Sequence, residues 1–425
     1  MNRRYFLMQT AAAGAVLTRR AVAASDKVNV AMIGVRGQGR HLTGKFASLA
    51  DANILYLCDV DENVYGRAAA LVEEKKGKRP PLVGDLRKVL DDKNVDAVVI
   101  ATPDHWHGPA TILACDAGKD VYVEKPASHN LREGRLMVEA ARRNKRIVQL
   151  GTQSRSRPST QRAIEYIQSG KIGKVLMGKA WDVQLRDHIG HKEDSPVPKG
   201  VDFDTWTGPA IMRPFNENRF HYQWHWNWNT GTGDIGNDGV HQMDIARWAL
   251  GVDRPTEVSG MGRKLFFDDD QQTPDTMNIT YQFNDKALMF EMRIWNPYGM
   301  EGQENGVSVY GTTGMVHIGR WDRFWGYKVY DEKGKLVLDQ GKNEDDSDPA
   351  HPRNFLSCIK SRQAPNAEIE IGHASSTLCH LGNIVARRNR SIKFDPASET
   401  IAADAEANKL LRREYRKHWS VPKGV

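Results

Sequence analysis

The sequence predicts an α/β protein of two domains: an N-terminal parallel sheet built from βαβ units, and a C-terminal α/β domain whose open sheet is mainly antiparallel. Three observations carry that expectation. At 425 residues the chain exceeds one ordinary compact core and suits two. Between residues 27 and 150 short apolar runs alternate with helical segments, the rhythm of a parallel sheet. Beyond about residue 151 that rhythm stops. Strand candidates at 175–185, 257–264, 277–283, 287–295, 306–310 and 315–320 then include several that follow one another across short turns, as an antiparallel sheet requires.

The chain opens on Asn2-Arg3-Arg4-Tyr5-Phe6-Leu7, a weakly apolar stretch from Ala11 to Leu17, and Ala21-Val22-Ala23-Ala24. Charged, apolar and small-residue segments in that order predict a bacterial export signal over residues 1–24, and the arginine pair points to the twin-arginine route and a periplasmic destination. A basic amphipathic first helix is the competing reading.

The run Val28 to Gly34 reads as a buried strand entering the turn Gly34-Val35-Arg36-Gly37-Gln38-Gly39, with a helix from about Arg40 to Ala50. A glycine at the first position of such a turn allows the tight bend, and one at the third lets helix and strand pack closely around a pyrophosphate. Gly34 and Gly39 fill those places, while Arg36 takes the middle one and displaces Gly37. The next strand, Ile54 to Cys58, ends in Asp59, about 20 residues beyond Gly39, where a carboxylate accepts ribose hydroxyls and repels a 2′-phosphate. This is a Rossmann arrangement for NAD. Asp59 also suits a helix cap for the segment near Asp61.

A third strand, Val95 to Pro103, leads into Asp104-His105-Trp106-His107 and a helix through Ala117, then a strand from Asp120 to Glu124 that closes on Glu124-Lys125-Pro126. Two residues apart on a helix, His105 and His107 cannot face one another, so no metal site is expected from them. Late helices are expected near 354–361 and 373–388, and residues 391–425 read as a tail after a second domain spanning 151–390.

Composition excludes other classes. With 40% hydrophobic and 27% charged residues the chain is globular, and no apolar run approaches the roughly 18 residues that span a bilayer. Its net charge of +7 is spread among 53 acidic residues, without a basic stripe interleaved with aromatics, so no nucleic-acid partner is expected. Cys58, Cys115, Cys358 and Cys379 lack any CxxC pattern; Cys358 and Cys379 pair only if the fold brings them together.

These motifs resemble the family of glucose-fructose oxidoreductase, inositol dehydrogenase and the rhizopine-catabolism protein (Gfo/Idh/MocA). The resemblance rests on the glycine turn, Ala101-Thr102-Pro103-Asp104-His105-Trp106-His107, Glu124-Lys125-Pro126, Gly151-Thr152-Gln153 and Gly239-Val240-His241-Gln242-Met243-Asp244, and covers the chain after the export segment. It implies a cofactor site of Gly34, Arg36, Gly37, Gln38, Gly39, Asp59, Thr102, Pro103, His107, Glu124, Lys125 and Gln153. It also implies that Lys125 and His241 flank a carbohydrate hydroxyl, the former stabilising alkoxide and the latter acting as base. The dehydrogenases of the family carry aspartate four residues before that histidine. Here that place is Asn237, so Asp238 or Asp234 must replace the acid, or the proton leaves through His241 alone.

Arg219 to Asn229 is dense in aromatics and amides, which suits a sugar subsite including Arg219, Trp224, His225, Asn237, Asp238 and His241. Because Trp224, Trp226 and Trp228 alternate at strand period, an aromatic core strand or subunit interface remains open, as does a metal held by His221, His225 and His241. The expected protein oxidises a sugar, glycoside or cyclitol hydroxyl with a tightly held, internally recycled NAD, and self-associates. A redox-neutral NAD-dependent glycosidase, a non-catalytic sugar-binding protein and a metal-assisted hydrolase are the alternatives.

Overall fold

The computed structural model describes residues 27–321, 324–345 and 349–425; the expected export signal lies outside them. The first domain runs β1 (Val28–Ile33), α1 (Gly37–Ser48), β2 (Ala52–Cys58), α2 (Tyr65–Lys76), β3 (Leu82–Val83), α3 (Leu86–Asp91), β4 (Ala97–Ile100), α4 (Asp104–Asp116), β5 (Asp120–Val123), α5 (Leu131–Arg143) and β6 (Val148–Leu150). Its six strands are all parallel in the order β3-β2-β1-β4-β5-β6. Strand order therefore reverses between β1 and β4, which opens a crevice at their carboxyl ends.

Alternation along β1 explains why this sheet is buried on both faces. Val30 and Met32 enter one core with Phe46, whereas Ala31 and Ile33 enter the other with Trp106 and Met137. The two-residue β3 had no periodic signal in the sequence; its Leu82 is exposed, and the strand exists through pairing with Leu57 and Cys58.

The second domain continues with α6 (Pro158–Gln168), β7 (Val175–Val183), α7 (Phe203–Thr207), α8 (Val240–Leu250), β8 (Glu257–Arg263), β9 (Thr276–Phe283), β10 (Lys286–Arg293), β11 (Asn305–Gly311), β12 (Gly314–Trp321), β13 (Phe324–Asp331) and β14 (Leu336–Asp345). After these come α9 (Ala350–Ser361), α10 (Ile369–Arg388), β15 (Ile392–Asp395), β16 (Thr400–Ile401) and α11 (Ala405–Lys409). Ten strands form one sheet in the order β14-β13-β12-β11-β7-β10-β9-β8-β15-β16, antiparallel throughout except that β7 and β10 run parallel. One face buries Ile279, Tyr281, Phe290, Val307 and Ile318 against α6, α8 and α10. The helices α9 and α10 return toward the first domain, with Phe355 packing on Phe46 and Tyr122.

The aromatic run forms no strand. His221–Trp226 is a 3₁₀ segment, and only Trp226 of the three alternating tryptophans is buried in the core. It belongs to a long connection between β7 and α8 that crosses to the first domain. The four cysteines are buried and unpaired, so Cys358 and Cys379 form no disulfide. Among the described residues no helix is long and apolar enough to cross a membrane.

Candidate active site

The turn after β1 is built for close backbone approach. Gly34 has φ +80°, and a Cβ there would lie 2.5 Å from the Ala101 carbonyl oxygen; one on Gly39 would lie 1.8 Å from the Gly34 oxygen. Helix α1 then starts at Gly37 with no side-chain cap and no acid in its first turn. Its first amides are left to an outside acceptor, which suits a pyrophosphate. Asp59 anchors this turn: its carboxylate accepts from the Val35 N–H (2.8 Å) and the Asp61 N–H (3.1 Å). Burial nevertheless pushes the Asp59 carboxyl up to about 6.

A cleft of about 510 Å³ begins at this turn and runs to α8. It is lined by the expected cofactor residues Gly34, Arg36, Gly37, Gln38, Asp59, Thr102, Pro103, His107, Glu124, Lys125 and Gln153, with Gly39 behind them as a packing residue. Trp224, His225, Asn237, Asp238 and His241 line the same cleft. Arg219 does not; its guanidinium pairs with Asp194 on the outside of the long connection. The glycine turn, the free helix terminus, the acid after β2 and the unpartnered buried Thr102 hydroxyl fit a bound dinucleotide.

The Glu124-Lys125-Pro126 turn carries a cis peptide before Pro126 and is braced by its neighbours. Gln38 Nε2 donates to Glu124 Oε1 (2.9 Å), and the His107 ring lies between the carbonyl oxygens of Pro126 (Nδ1, 2.7 Å) and Thr102 (Nε2, 2.8 Å), donating its one N–H to one of them. Lys125 Nζ donates to Asn237 O (2.6 Å) and Oδ1 (3.1 Å). An ammonium has three donors, so one N–H remains for a ligand hydroxyl. Beneath it Asp104 is buried; Thr232 Oγ1 donates to its Oδ2 (2.6 Å), Oδ1 has no partner, and burial pushes the carboxyl up to about 7 despite the Lys125 charge.

His241 is delivered by one turn of π-helix, Ile235–Gly239, that runs into α8. Burial, then the neighbouring Lys125 charge, push its imidazole down to about 3, and its Nδ1 has no partner. The imidazole is therefore neutral at physiological pH. The glycine run that precedes it thus supplies a widened turn rather than a loose loop, a device frequent at functional sites. At Asn237 the amide bridges Lys125 and two acids: Nδ2 donates to Asp234 Oδ1 (2.9 Å) and Asp238 Oδ2 (3.3 Å). Gln184 Nε2 also donates to Asp238 Oδ2 (3.0 Å), and the Arg186 guanidinium pairs with both Asp238 and Asp234. Burial works against the Asp238 charge, but Lys125 and Arg186 outweigh it and hold the carboxyl below its usual range. Asp234 and Asp182 shift upward, chiefly through burial.

The histidine metal site does not assemble. His221 Nε2 faces Asp61 (3.1 Å) and His225 Nδ1 faces the Tyr222 carbonyl (2.5 Å). Among the described residues the acids that converge are Asp182, Asp234 and Asp238, and Arg186 supplies the positive charge beside them. His105 and Trp106 likewise bind backbone: Trp106 Nε1 donates to Trp206 O (2.9 Å), and His105 Nε2 lies 2.9 Å from the same oxygen. Sequence reasoning gave no role to Asp104, Tyr222, Arg186 or the buried Arg155–Asp244 pair. Asp104 and Asp244 stood inside motifs already singled out; Arg186, just past β7, has no local signal.

Two family models match, one described as the NAD-binding Rossmann fold of an oxidoreductase family over residues 28–152, the other as that family's C-terminal alpha/beta domain over 171–421. The chain belongs to the Gfo/Idh/MocA oxidoreductase family. Its cofactor is NAD, as the Rossmann motifs predict. The scyllo-inositol 2-dehydrogenase (NAD(+)) of Bacillus subtilis is 28% identical over 287 residues, 66% of this chain and 72% of that protein. Glycosyl hydrolase family 109 protein 1 of Akkermansia muciniphila is 28% identical over 159 residues, 36% of this chain and only 33% of that protein. A crystal structure of aldose-aldose oxidoreductase from Caulobacter crescentus, complexed with glycerol, superposes with TM-score 0.67 at 19% identity over 87% of this chain and all of that one, a likeness of fold.

Proposed function

We propose that this family member oxidises a hydroxyl of a sugar, glycoside or cyclitol, acts after export to the periplasm, and recycles its NAD in place. The observation that carries the reading is the convergence of Lys125, His241 and Asp238 on one wall of the nucleotide cleft, beside the stacked Trp224 and His225 rings. When bound, NAD supplies the hydride acceptor. The chain supplies the rest. The remaining Lys125 N–H orients the hydroxyl and stabilises developing negative charge on its oxygen. His241, neutral and short of a partner, takes the proton, and the anionic Asp238 favours the imidazolium that results. Asn237 cannot accept the proton; it holds the Lys125 ammonium and spaces the acids. The aromatic faces of Trp224 and Tyr222 suit the C–H face of a carbohydrate.

The twin-arginine segment motivates recycling, because an exported protein has no free nicotinamide pool. The scyllo-inositol dehydrogenase relative supports a polyol substrate, and the family 109 relative favours the redox-neutral variant, oxidation, elimination, hydration and reduction at one site. Self-association through the open sheet face, where Met261 and Met289 are exposed, belongs to the same reading. Denaturing the purified protein and identifying released nucleotide, then screening carbohydrates for cofactor reduction on the protein, tests it. Reducing sugar released from a glycoside without NADH accumulation selects the glycosidase; no nucleotide and no reduction with any carbohydrate refutes both.

A further inference from the structure

The connection between β7 and α8 leaves the second domain and fastens to the first on two sides. At the β2 end, Asp202 N donates to Val60 O (2.9 Å), Glu62 N to Gly200 O (2.9 Å), and Asn63 Nδ2 to Lys199 O (3.0 Å). His221, held at φ +44°, reaches Asp61 with its Nε2 at 3.1 Å. At the α4 side, His105 and Trp106 both hold the Trp206 carbonyl. Between them Phe203 stacks on Trp206, and Phe215 and Phe220 pack against this pair at steep angles, over Val60. The segment after α11 adds a further tie: Arg416 donates to the carbonyls of Gly208 (2.6 Å) and Asp204 (2.7 Å).

Val60, Asp61 and Val64 form one side of the cleft at that end; Thr205, Trp206 and His221 form the other. One of the two cleft walls at the Asp59 end, where the adenosine ribose is expected, is thus made by a segment that belongs to the second domain. A left-handed, non-glycine residue costs energy and persists only where its surroundings over-determine it. Here Asp61 and the aromatic nest do so.

We infer that residues 198–226 form a strap closed over the nucleotide, with His221 as a cofactor-positioning residue that clasps it to Asp61, so that NAD leaves only when the strap detaches. The inference rests on the proposed NAD reading and gives the internally recycled cofactor a physical cause. Detachment breaks several backbone hydrogen bonds and exposes the aromatic nest together, so nucleotide release is slow.

The test needs no turnover. The full chain is loaded with NAD+, diluted, and its retained nucleotide followed by rapid filtration; hydrogen exchange of the Glu62 and Asp202 amides is measured with and without NAD+. His221→Ala and Arg416→Ala each remove contacts worth a hydrogen bond to a charged group, so release is expected to quicken about tenfold or more. Both amides are expected to exchange more slowly when NAD+ is bound. Phe215→Ala should act in the same direction; because it opens a cavity and risks folding, Arg416→Ala at the surface tie carries the test if it fails. Release rates within about twofold of the parent, with amide exchange indifferent to nucleotide, overturn the strap while leaving NAD binding intact. A folded chain that takes up no NAD+ even at millimolar concentration overturns the cofactor reading instead.

Discussion

Helix α8 presents His241 to the cleft, and one turn later its Asp244 meets Arg155 from the segment that leaves β6. The guanidinium is bidentate, Nε to Oδ2 at 2.8 Å and Nη2 to Oδ1 at 2.9 Å, and the two side chains are 5% and 1% exposed. Ser375 Oγ adds a hydrogen bond to Asp244 Oδ1 (2.5 Å) and accepts one from Arg247 Nε (3.0 Å). Asp244→Leu removes the anion and leaves Arg155 and Arg247 buried without it. Arg247 is already pushed down to about 10 by burial and by Arg155. Breaking such a pair costs about 3–5 kcal/mol, whereas replacing both charges by apolar groups is often nearly neutral. At roughly 2–4 °C per kcal/mol for a domain of this size, the single variant should unfold roughly 6–20 °C lower. Arg155→Met combined with Asp244→Leu should recover most of that, less about 0.5–2 kcal/mol for the lost stacking of Arg155 on Trp248. Thermal unfolding of both singles and the double completes the cycle, and kcat reports whether His241 stays in place. A loss below about 1 kcal/mol in both singles, or a double as unstable as their sum, would refute the view that this buried pair fixes α8 against the segment leaving β6.

Lys125→Met should slow single-turnover hydride transfer by about 10²–10³, because it removes a donor aimed at developing charge; a rate unchanged in nucleotide-loaded protein rules that role out. Asp59 must be ionised to accept ribose hydroxyls, and its carboxyl is raised to about 6. NAD+ affinity measured by titration should therefore hold above that pH and weaken as pH falls through it, and Asp59→Asn should flatten the profile at lower affinity. For Asp104, raised to about 7, the folded state favours the protonated acid. Its ionisation penalty grows between the unfolded carboxylate range and about 7 and is complete above that. Asp104→Asn should accordingly gain thermal stability relative to the parent as pH rises across that window, and a pH-independent difference contradicts the assignment. Finally, all four thiols are buried, so a thiol reagent should label none in the native chain and four after denaturation.

The nucleotide half of the site was legible because its chemistry is local. A glycine turn, an acid about 20 residues on and the Glu124-Lys125-Pro126 closure each lie at a strand end, and a parallel sheet brings all strand ends to one edge. The Asp104 to His107 motif was legible as important but not in its roles. His107 braces the Lys125 turn, His105 and Trp106 hold the strap, and Asp104 lies under the ammonium; each partner is a backbone carbonyl or a residue far along the chain. Arg219 shows the opposite error. A cation inside an aromatic run suits a sugar subsite by composition, yet the 3₁₀ geometry of that run turns it outward to Asp194.

By itself the sequence determined the α/β class, the parallel nucleotide domain and NAD as cofactor, and its family resemblance nominated Lys125 and His241 for the site, since periodicity and short motifs act over a few residues of chain. Tertiary structure decided the parallel pairing of β7 with β10, the three acids gathered around Arg186, the Arg155–Asp244 tie and the strap's path back to Asp61. These contacts join residues tens to hundreds of positions apart. They form because burying two sheets and their helices brings charged groups out of water, and a charge there requires a partner wherever the chain can supply one.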